Sequence, residues 1–220
     1  MAVLFDSRID AARRLAKALA HYRGRNPLVL AIPRGAVPMG RVLAEELEGE
    51  LDVVLVRKLH SPVSPEFAVG AIDETGWVYV AEHAARAGAD PAYLEQEKRL
   101  QLEVLRTRRT QYTPARPPID AKGRIAIVVD DGLATGATMI AALHAARAKQ
   151  PARLVCAVPV AAPDSLERVR PYADEVICLE APDDFFAVGQ FYGEFHQVAD
   201  EEVVALLAAA TGAPQGSGAG

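Results

Sequence analysis

Ile125-Ala126-Ile127-Val128-Val129-Asp130-Asp131-Gly132-Leu133-Ala134-Thr135-Gly136-Ala137-Thr138 is the stretch on which the architecture turns. Five consecutive apolar residues with no polar alternate mark a strand covered on both faces, as in a parallel sheet. Asp130 and Asp131 stand at its carboxyl end, where open parallel sheets collect their ligands. Two adjacent carboxylates are costly there unless something hydrogen-bonds or neutralises them. The vicinal hydroxyls of a ribose, with a hydrated Mg2+ nearby, would do both. Gly132 and Gly136 then free the backbone to curl, and Thr135 and Thr138 add hydroxyl donors. The curl opens into a helix whose N-terminal N–H groups and dipole favour an anion. One half of the string suits a diol and the other a phosphate, spaced as in a ribose 5-phosphate. A plain strand–turn–helix whose acids cap the helix is the alternative, and it is far less specific than the full string. No Gly-Lys-Ser or Gly-Lys-Thr follows, so this is not a Walker loop.

Outward from this string, strands alternate with helices. Toward the C-terminus come a helix over 139–149, a strand over 154–159, a helix over 164–169 and a strand over 175–179. Residues 183–207 carry an aromatic cluster and a closing helix. Toward the N-terminus lie a stiff proline connector (114–118) and a charged helix (91–112). Before them comes a hairpin whose arms, 69–72 and 77–80, flank residues 73–76. The spacing predicts buried strands over 28–32 and 51–56 with a helix over 37–47 between them, and a first helix capped by Asp6 or Ser7. This alternation implies an α/β fold, a mostly parallel sheet with helices on both faces. The expected division is a core over 1–182, with a flexible loop and hairpin inserted near 59–112, then a hood and closing helix over 183–210. Residues 211–220 form a small-residue tail expected to be disordered.

The chain has 220 residues, half of them hydrophobic, which supports a sizeable core. Its net charge of −5 argues against a broad nucleic-acid footprint, which is normally basic. Lys98, Arg99, Arg106, Arg108 and Arg109 therefore read as the solvated face of the charged helix. Cys156 and Cys178 sit in apolar runs, as free thiols do in a reducing cytosol, and no Cys/His spacing suggests zinc. No apolar run approaches the ~20 residues of a membrane span, and the N-terminus does not read as a signal peptide. A cytoplasmic protein without a membrane partner is expected.

The Asp130–Thr138 string resembles the PRPP (phosphoribosyl diphosphate) signature of the type I phosphoribosyltransferases. The whole chain over 4–207 is similar to a bacterial group assigned to that family. The resemblance implies that Asp130 and Asp131 hold the ribose hydroxyls, and Mg2+ through water. Gly132, Ala134, Thr135, Gly136, Ala137 and Thr138 would complete the ribose and 5-phosphate site. Pro33-Arg34-Gly35-Ala36 falls where the family places its diphosphate loop, so Arg34 and Gly35 are assigned to diphosphate. In many members the peptide ahead of that basic residue is cis. Arg57 and Lys58, at the end of the second strand, match a basic pair that reaches the diphosphate. Asp130, Asp131 and Lys58 are the catalytic candidates, joined by Glu66 on the loop that closes over the site. The implied reaction is Mg2+-dependent transfer of phosphoribosyl from PRPP to a nitrogen acceptor, in a protein expected to be a homodimer. A non-catalytic PRPP or nucleotide sensor, and a ribose-phosphate hydrolase or phosphorylase, are the alternatives on the same fold.

Ala134 stands where the 6-oxopurine enzymes carry an aspartate against the base, so hypoxanthine and guanine are disfavoured. The hood candidate is C-terminal, Asp184-Phe185-Phe186-Ala187-Val188-Gly189-Gln190-Phe191-Tyr192. Phe185, Phe186, Val188 and Tyr192 are its candidates for an acceptor pocket, where aromatic rings could stack on a flat base. The same rings could equally form the core of a small subdomain.

Overall fold

A computed structural model describes residues 3–64, 67–114 and 117–211. Ser7 accepts a hydrogen bond from the Asp10 amide and so caps α1 (Arg8–Ala18), whose Ala11, Ala12, Leu15 and Ala16 face the core. Next come β1 (Leu28–Ala31), α2 (Val37–Glu46) and β2 (Glu50–Val53). A second group follows: β3 (Val56–His60), β4 (Ala68–Asp73), β5 (Val78–Val80) and the long α3 (Pro91–Tyr112). The chain then alternates through β6 (Ile125–Val129), α4 (Ala137–Ala148), β7 (Arg153–Val160), α5 (Pro163–Val169) and β8 (Glu175–Glu180), and ends in α6 (Asp200–Thr211).

Five strands pair in parallel in the order β2-β1-β6-β7-β8. Alternate side chains enter two separate apolar layers. Val29, Ala31, Ile127, Val129, Val155 and Ala157 pack with α1, α2 and α6, while Leu28, Leu30, Ala126, Val128, Leu154 and Cys156 pack with α4 and α5. This is the expected α/β sheet with helices on both faces. From β1 the order runs one way to β2, and from β6 the other way to β7, so the switch point lies between β1 and β6. Ala31 is level with Val129, so both strands empty into one crevice, where such sheets bind ligands.

The sequence placed Arg57 and Lys58 at the end of the second sheet strand, and the structure corrects this. β2 stops at Val53, and Arg57 and Lys58 belong to β3, the first strand of a separate antiparallel sheet ordered β3-β4-β5. The chain changes sheets within 53–56, all buried, so no polar residue marks the boundary. Arg109 also departs from the solvated face expected of α3. Its guanidinium binds Glu74 at 2.8 Å and the Val53 carbonyl at 3.1 Å, beside the buried Asp52, tying α3 to both sheets. Thr211, expected in the tail, is the last residue of α6; residues 212–220 lie outside the described residues, as do 115 and 116 of the connector. Cys156 and Cys178 are free, the first buried and the second half-buried. No helix among the described residues is long and apolar enough to cross a membrane.

Candidate active site at the switch point

β6 delivers Asp130 and Asp131 into the crevice. The Asp131 amide donates to Asp130 Oδ1 at 2.9 Å, which fixes one carboxylate against the turn. Burial, and then the neighbouring Asp131 charge, push the Asp130 carboxyl well above its usual range, with Lys58 and Arg8 pulling the other way. Asp131 is also raised by burial, opposed by the charge and hydrogen bond of Arg8. Arg8, at the start of α1, reaches Asp131 Oδ2 with Nε at 2.9 Å and Nη2 at 2.8 Å. The Tyr192 hydroxyl donates to the Asp131 carbonyl at 2.6 Å.

The following loop is held from outside, which leaves its inner amides free of that duty. Leu133 donates to the Val160 carbonyl and accepts from Ala162, both at 2.9 Å. Ser165 Oγ donates to the Ala134 carbonyl at 2.7 Å, and Arg168 bridges Ser165 Oγ and the Thr135 carbonyl. Gly136 occupies the left-handed region at φ 78°, caps α4, and brings no capping side chain. The first-turn amides of α4 are thus presented to an incoming anion rather than to a side chain. A cleft of ≈ 180 Å3 opens here, lined by residues 130–136, Thr138, Met139, Val188 and Lys58.

Lys58 and Thr138 also line an adjoining cleft of ≈ 250 Å3, shared with Pro33, Arg57, His60 and Arg108. The peptide Pro33–Arg34 is cis. Gly35 lies so near the acidic pair that a Cβ there would fall 2.2 Å from Asp131 Oδ2. Arg34 faces Asp200 at 3.6 Å, and the Tyr112 hydroxyl donates to the same Asp200 carboxylate. Burial, with the Asp200 hydrogen bond second, raises the Tyr112 phenol to about 12. Arg57 Nε donates to Gln101 at 2.5 Å; burial, and then Arg108, lower its basicity.

These contacts bring three separate segments together. The Asp130–Thr138 loop, the Pro33–Ala36 loop and the basic pair on β3 meet at the two clefts. Glu66 lies outside the described residues. Of the four acceptor-pocket candidates, Val188 closes over the glycine loop, with its Cγ1 2.7 Å from where a Gly132 Cβ would stand. Phe185 packs on Phe191 at 5.0 Å, and Tyr192 is only 5% exposed against Phe5. Phe186 projects outward, 80% exposed. Residues 4–6 run beside this segment, with Leu4 and Phe5 donating to the Phe191 carbonyl and Gly193 to that of Phe5. Residues 4–6 thus pack with the segment expected to form the hood, a feature not read from the sequence, and neither were the places of Arg8, Arg108 and Asp200. One signal existed for Arg8: a cation on the first turn of a helix opposes the helix dipole and asks for a partner elsewhere.

The family described as phosphoribosyl transferase domain matches residues 4–195. A Mycobacterium tuberculosis protein, found in strains CDC 1551 and H37Rv and provisionally named a phosphoribosyl transferase, is 46% identical over 205 residues. That match spans 93% of this chain but 46% of the relative, so the chain spans about half the length of these curated proteins. The crystal structure of TT1426 from Thermus thermophilus is 47% identical, covers 92% of this chain and 97% of its own, and superposes with a TM-score of 0.77. The chain belongs to the phosphoribosyl transferase domain family.

Proposed function

We propose that the protein transfers the phosphoribosyl group of PRPP to a nitrogen acceptor, a nucleobase or related heterocycle, and releases diphosphate. The observation that carries this reading is the convergence at the switch point of an acidic pair, an open helix N-terminus and a basic cleft. The α4 amides and Thr138 would take the 5-phosphate, and Asp130 with Asp131 the ribose hydroxyls. The adjoining cleft, with Gly35, Arg34, Arg57 and Lys58, would take the diphosphate. Among the described residues no cluster of three or more metal-ligating side chains exists. An all-protein cage is therefore absent there, whereas two adjacent carboxylates suit Mg2+, which completes its shell with water and substrate phosphates. When bound, Mg2+ would neutralise charge on the diphosphate; Asp130 and Asp131 would hold it.

In the reaction, the bond from the ribose anomeric carbon to the diphosphate oxygen breaks and its electron pair leaves with the diphosphate. The acceptor nitrogen supplies the pair for the new bond, and its proton passes to water. Positive charge develops on the sugar, facing the carboxylates, and negative charge on the leaving group, facing Lys58 and Arg34. Fixed charges set where charge develops are the main source of catalysis in such a step. Ala134 offers no carboxylate to the acceptor, which supports adenine, a pyrimidine or a non-nucleobase amine over hypoxanthine and guanine. A cytoplasmic homodimer is part of the same proposal.

Calorimetry with PRPP and Mg2+ tests the first half, with binding expected in the micromolar to sub-millimolar range, about the span of enzyme substrates. Diphosphate release across a panel of bases tests the second. Folded protein that binds no PRPP would sink the proposal. Tight binding without turnover on any acceptor would favour the sensor.

A further inference from the structure

The two aspartates are neighbours in sequence but not equals in space. Both near contacts of Arg8, Nε at 2.9 Å and Nη2 at 2.8 Å, go to one oxygen of Asp131, Oδ2. Arg8 is itself immobilised. Its Nη1 donates to the His196 carbonyl at 2.6 Å, and its guanidinium lies 3.8 Å from the centre of the Phe195 ring. Such stacking adds a cation–π attraction to the hydrogen bonds. The Asp131 carbonyl is held in turn by Tyr192. Even Gly35 fits this arrangement, since a Cβ there would stand 2.2 Å from Asp131 Oδ2 and 3.0 Å from Arg8 Nη2. Four segments distant in sequence therefore meet on one guanidinium: the start of α1, the Gly35 loop, the acidic pair and residues 192–196.

We propose that Arg8 is a positioning residue for ribose recognition: it withdraws Oδ2 of Asp131 from the ligand, leaving Asp130 and the other Asp131 oxygen to receive the sugar's vicinal hydroxyls. This rests on the ribose-phosphate reading of the cleft and sharpens it. A carboxylate free to rotate offers either oxygen in several geometries, and ordering it on binding costs conformational entropy. A carboxylate already locked by two charge-assisted bonds presents one oxygen in one place. Loss of Arg8 would free Asp131 to turn and blunt recognition of the diol, while the 5-phosphate contacts on α4, which Arg8 does not touch, stay as they are.

The discriminating experiment uses ribose 5-phosphate and 2-deoxyribose 5-phosphate, which share the phosphate and differ in one hydroxyl of the diol. Affinities are measured by calorimetry for the full chain and for Arg8→Gln, Arg8→Lys, Asp131→Asn and the Arg8→Gln/Asp131→Asn double variant. The unaltered protein should prefer the ribose compound. In Arg8→Gln that preference should shrink about tenfold, the loss expected of one charge-assisted contact, with binding of the deoxy compound unchanged. Arg8→Lys, which keeps the charge but not the fork, should fall between. The double variant should be no worse than Asp131→Asn alone, since the two residues act as one unit. A purely structural role predicts equal losses for both sugars, and that result, or an undiminished preference in both Arg8 variants, overturns the inference. Should Arg8→Gln fail to fold, Arg8→Lys against Asp131→Asn gives the same comparison. If the unaltered protein binds neither sugar phosphate nor PRPP, the ribose-phosphate reading itself falls, and the inference with it.

Discussion

Gly35→Ala puts the assembly of the site under the most direct strain. The new Cβ would stand 2.2 Å from Asp131 Oδ2, 3.2 Å from Asp131 Cγ and 3.0 Å from Arg8 Nη2. Unbonded heavy atoms sit comfortably at about 3.5 Å, so something must move by roughly 1 Å. Neither neighbour is loose: Asp131 is bound by Arg8 and through its carbonyl by Tyr192, and Arg8 by the His196 carbonyl. Either the Asp131–Arg8 pair parts or the Pro33–Ala36 backbone retreats. Overpacking of this kind costs about 1–3 kcal/mol, and losing a charge-assisted hydrogen bond about 1.5–3 kcal/mol. The two are alternatives, so roughly 1–3 kcal/mol is expected, a fall in Tm of about 2–12 °C for a domain this size. Because the displaced loop is the one assigned to diphosphate, PRPP affinity should drop by about 5- to 150-fold over the same energy range. Scanning fluorimetry reads the first quantity and calorimetry with Mg2+ and PRPP the second. Adding Asp131→Ala, which removes the clashing oxygen, should make the Gly35→Ala stability cost much smaller than in the unaltered background. A Gly35→Ala protein with unchanged Tm and unchanged PRPP affinity would refute the packing of this loop on the acidic pair.

Burial and then the Asp131 charge raise the Asp130 carboxyl in the folded state, so its contribution to stability is present below the unfolded pKa and is lost as pH rises through the folded one. At neutral pH, well above the unfolded pKa, the raised carboxyl therefore burdens the ligand-free fold, and Asp130→Asn should raise Tm there while flattening the decline from acid to neutral pH. Thermal melts across that range decide it, a sharp loss of stability at neutral pH being the contrary result. Lys58→Ala should weaken PRPP far more than ribose 5-phosphate, and Thr138→Ala should weaken both, by about 1.5–3 kcal/mol per lost charge-assisted contact. Calorimetry giving equal losses for both ligands in Lys58→Ala would remove Lys58 from the diphosphate. In competition among adenine, uracil, orotate, hypoxanthine and guanine, the two oxopurines should be at least about tenfold poorer than the best acceptor, since each unpaired buried polar group costs about 1–3 kcal/mol. Diphosphate release coupled to product identification checks this, and a win for guanine or hypoxanthine would show that Ala134 does not govern acceptor choice.

What the sequence disclosed and what it hid follow from the range of the interactions involved. The β6–α4 unit was legible because each of its parts is locally determined. A short apolar run bounded by paired acids and glycines reads as a strand buried on both faces, and a glycine at φ 78° can open a helix where other residues would be strained. The break between β2 and β3 was illegible for the opposite reason. Residues 53–56 are buried throughout, so the hydrophobic pattern is the same whether the chain stays in one sheet or crosses to another. The segment expected to form the hood posed a harder case. Phe185, Phe186 and Tyr192 are all aromatic, and only tertiary contacts separate them: Phe5 seals Tyr192, Phe191 half-covers Phe185, and Phe186 is left exposed. Arg8 lies 123 residues from the carboxylate it binds, so no local pattern could name the partner. Its place on the first turn of α1, against the helix dipole, was a sign that its charge is answered elsewhere. The answer lies at the acidic pair, where Arg8 leaves Asp130 and Asp131 with different freedoms though they follow one another in the chain. On this proposal a site whose ends are written in one contiguous string is set by a residue distant in sequence, and substitutions at Arg8 should read out at the ribose rather than in α1.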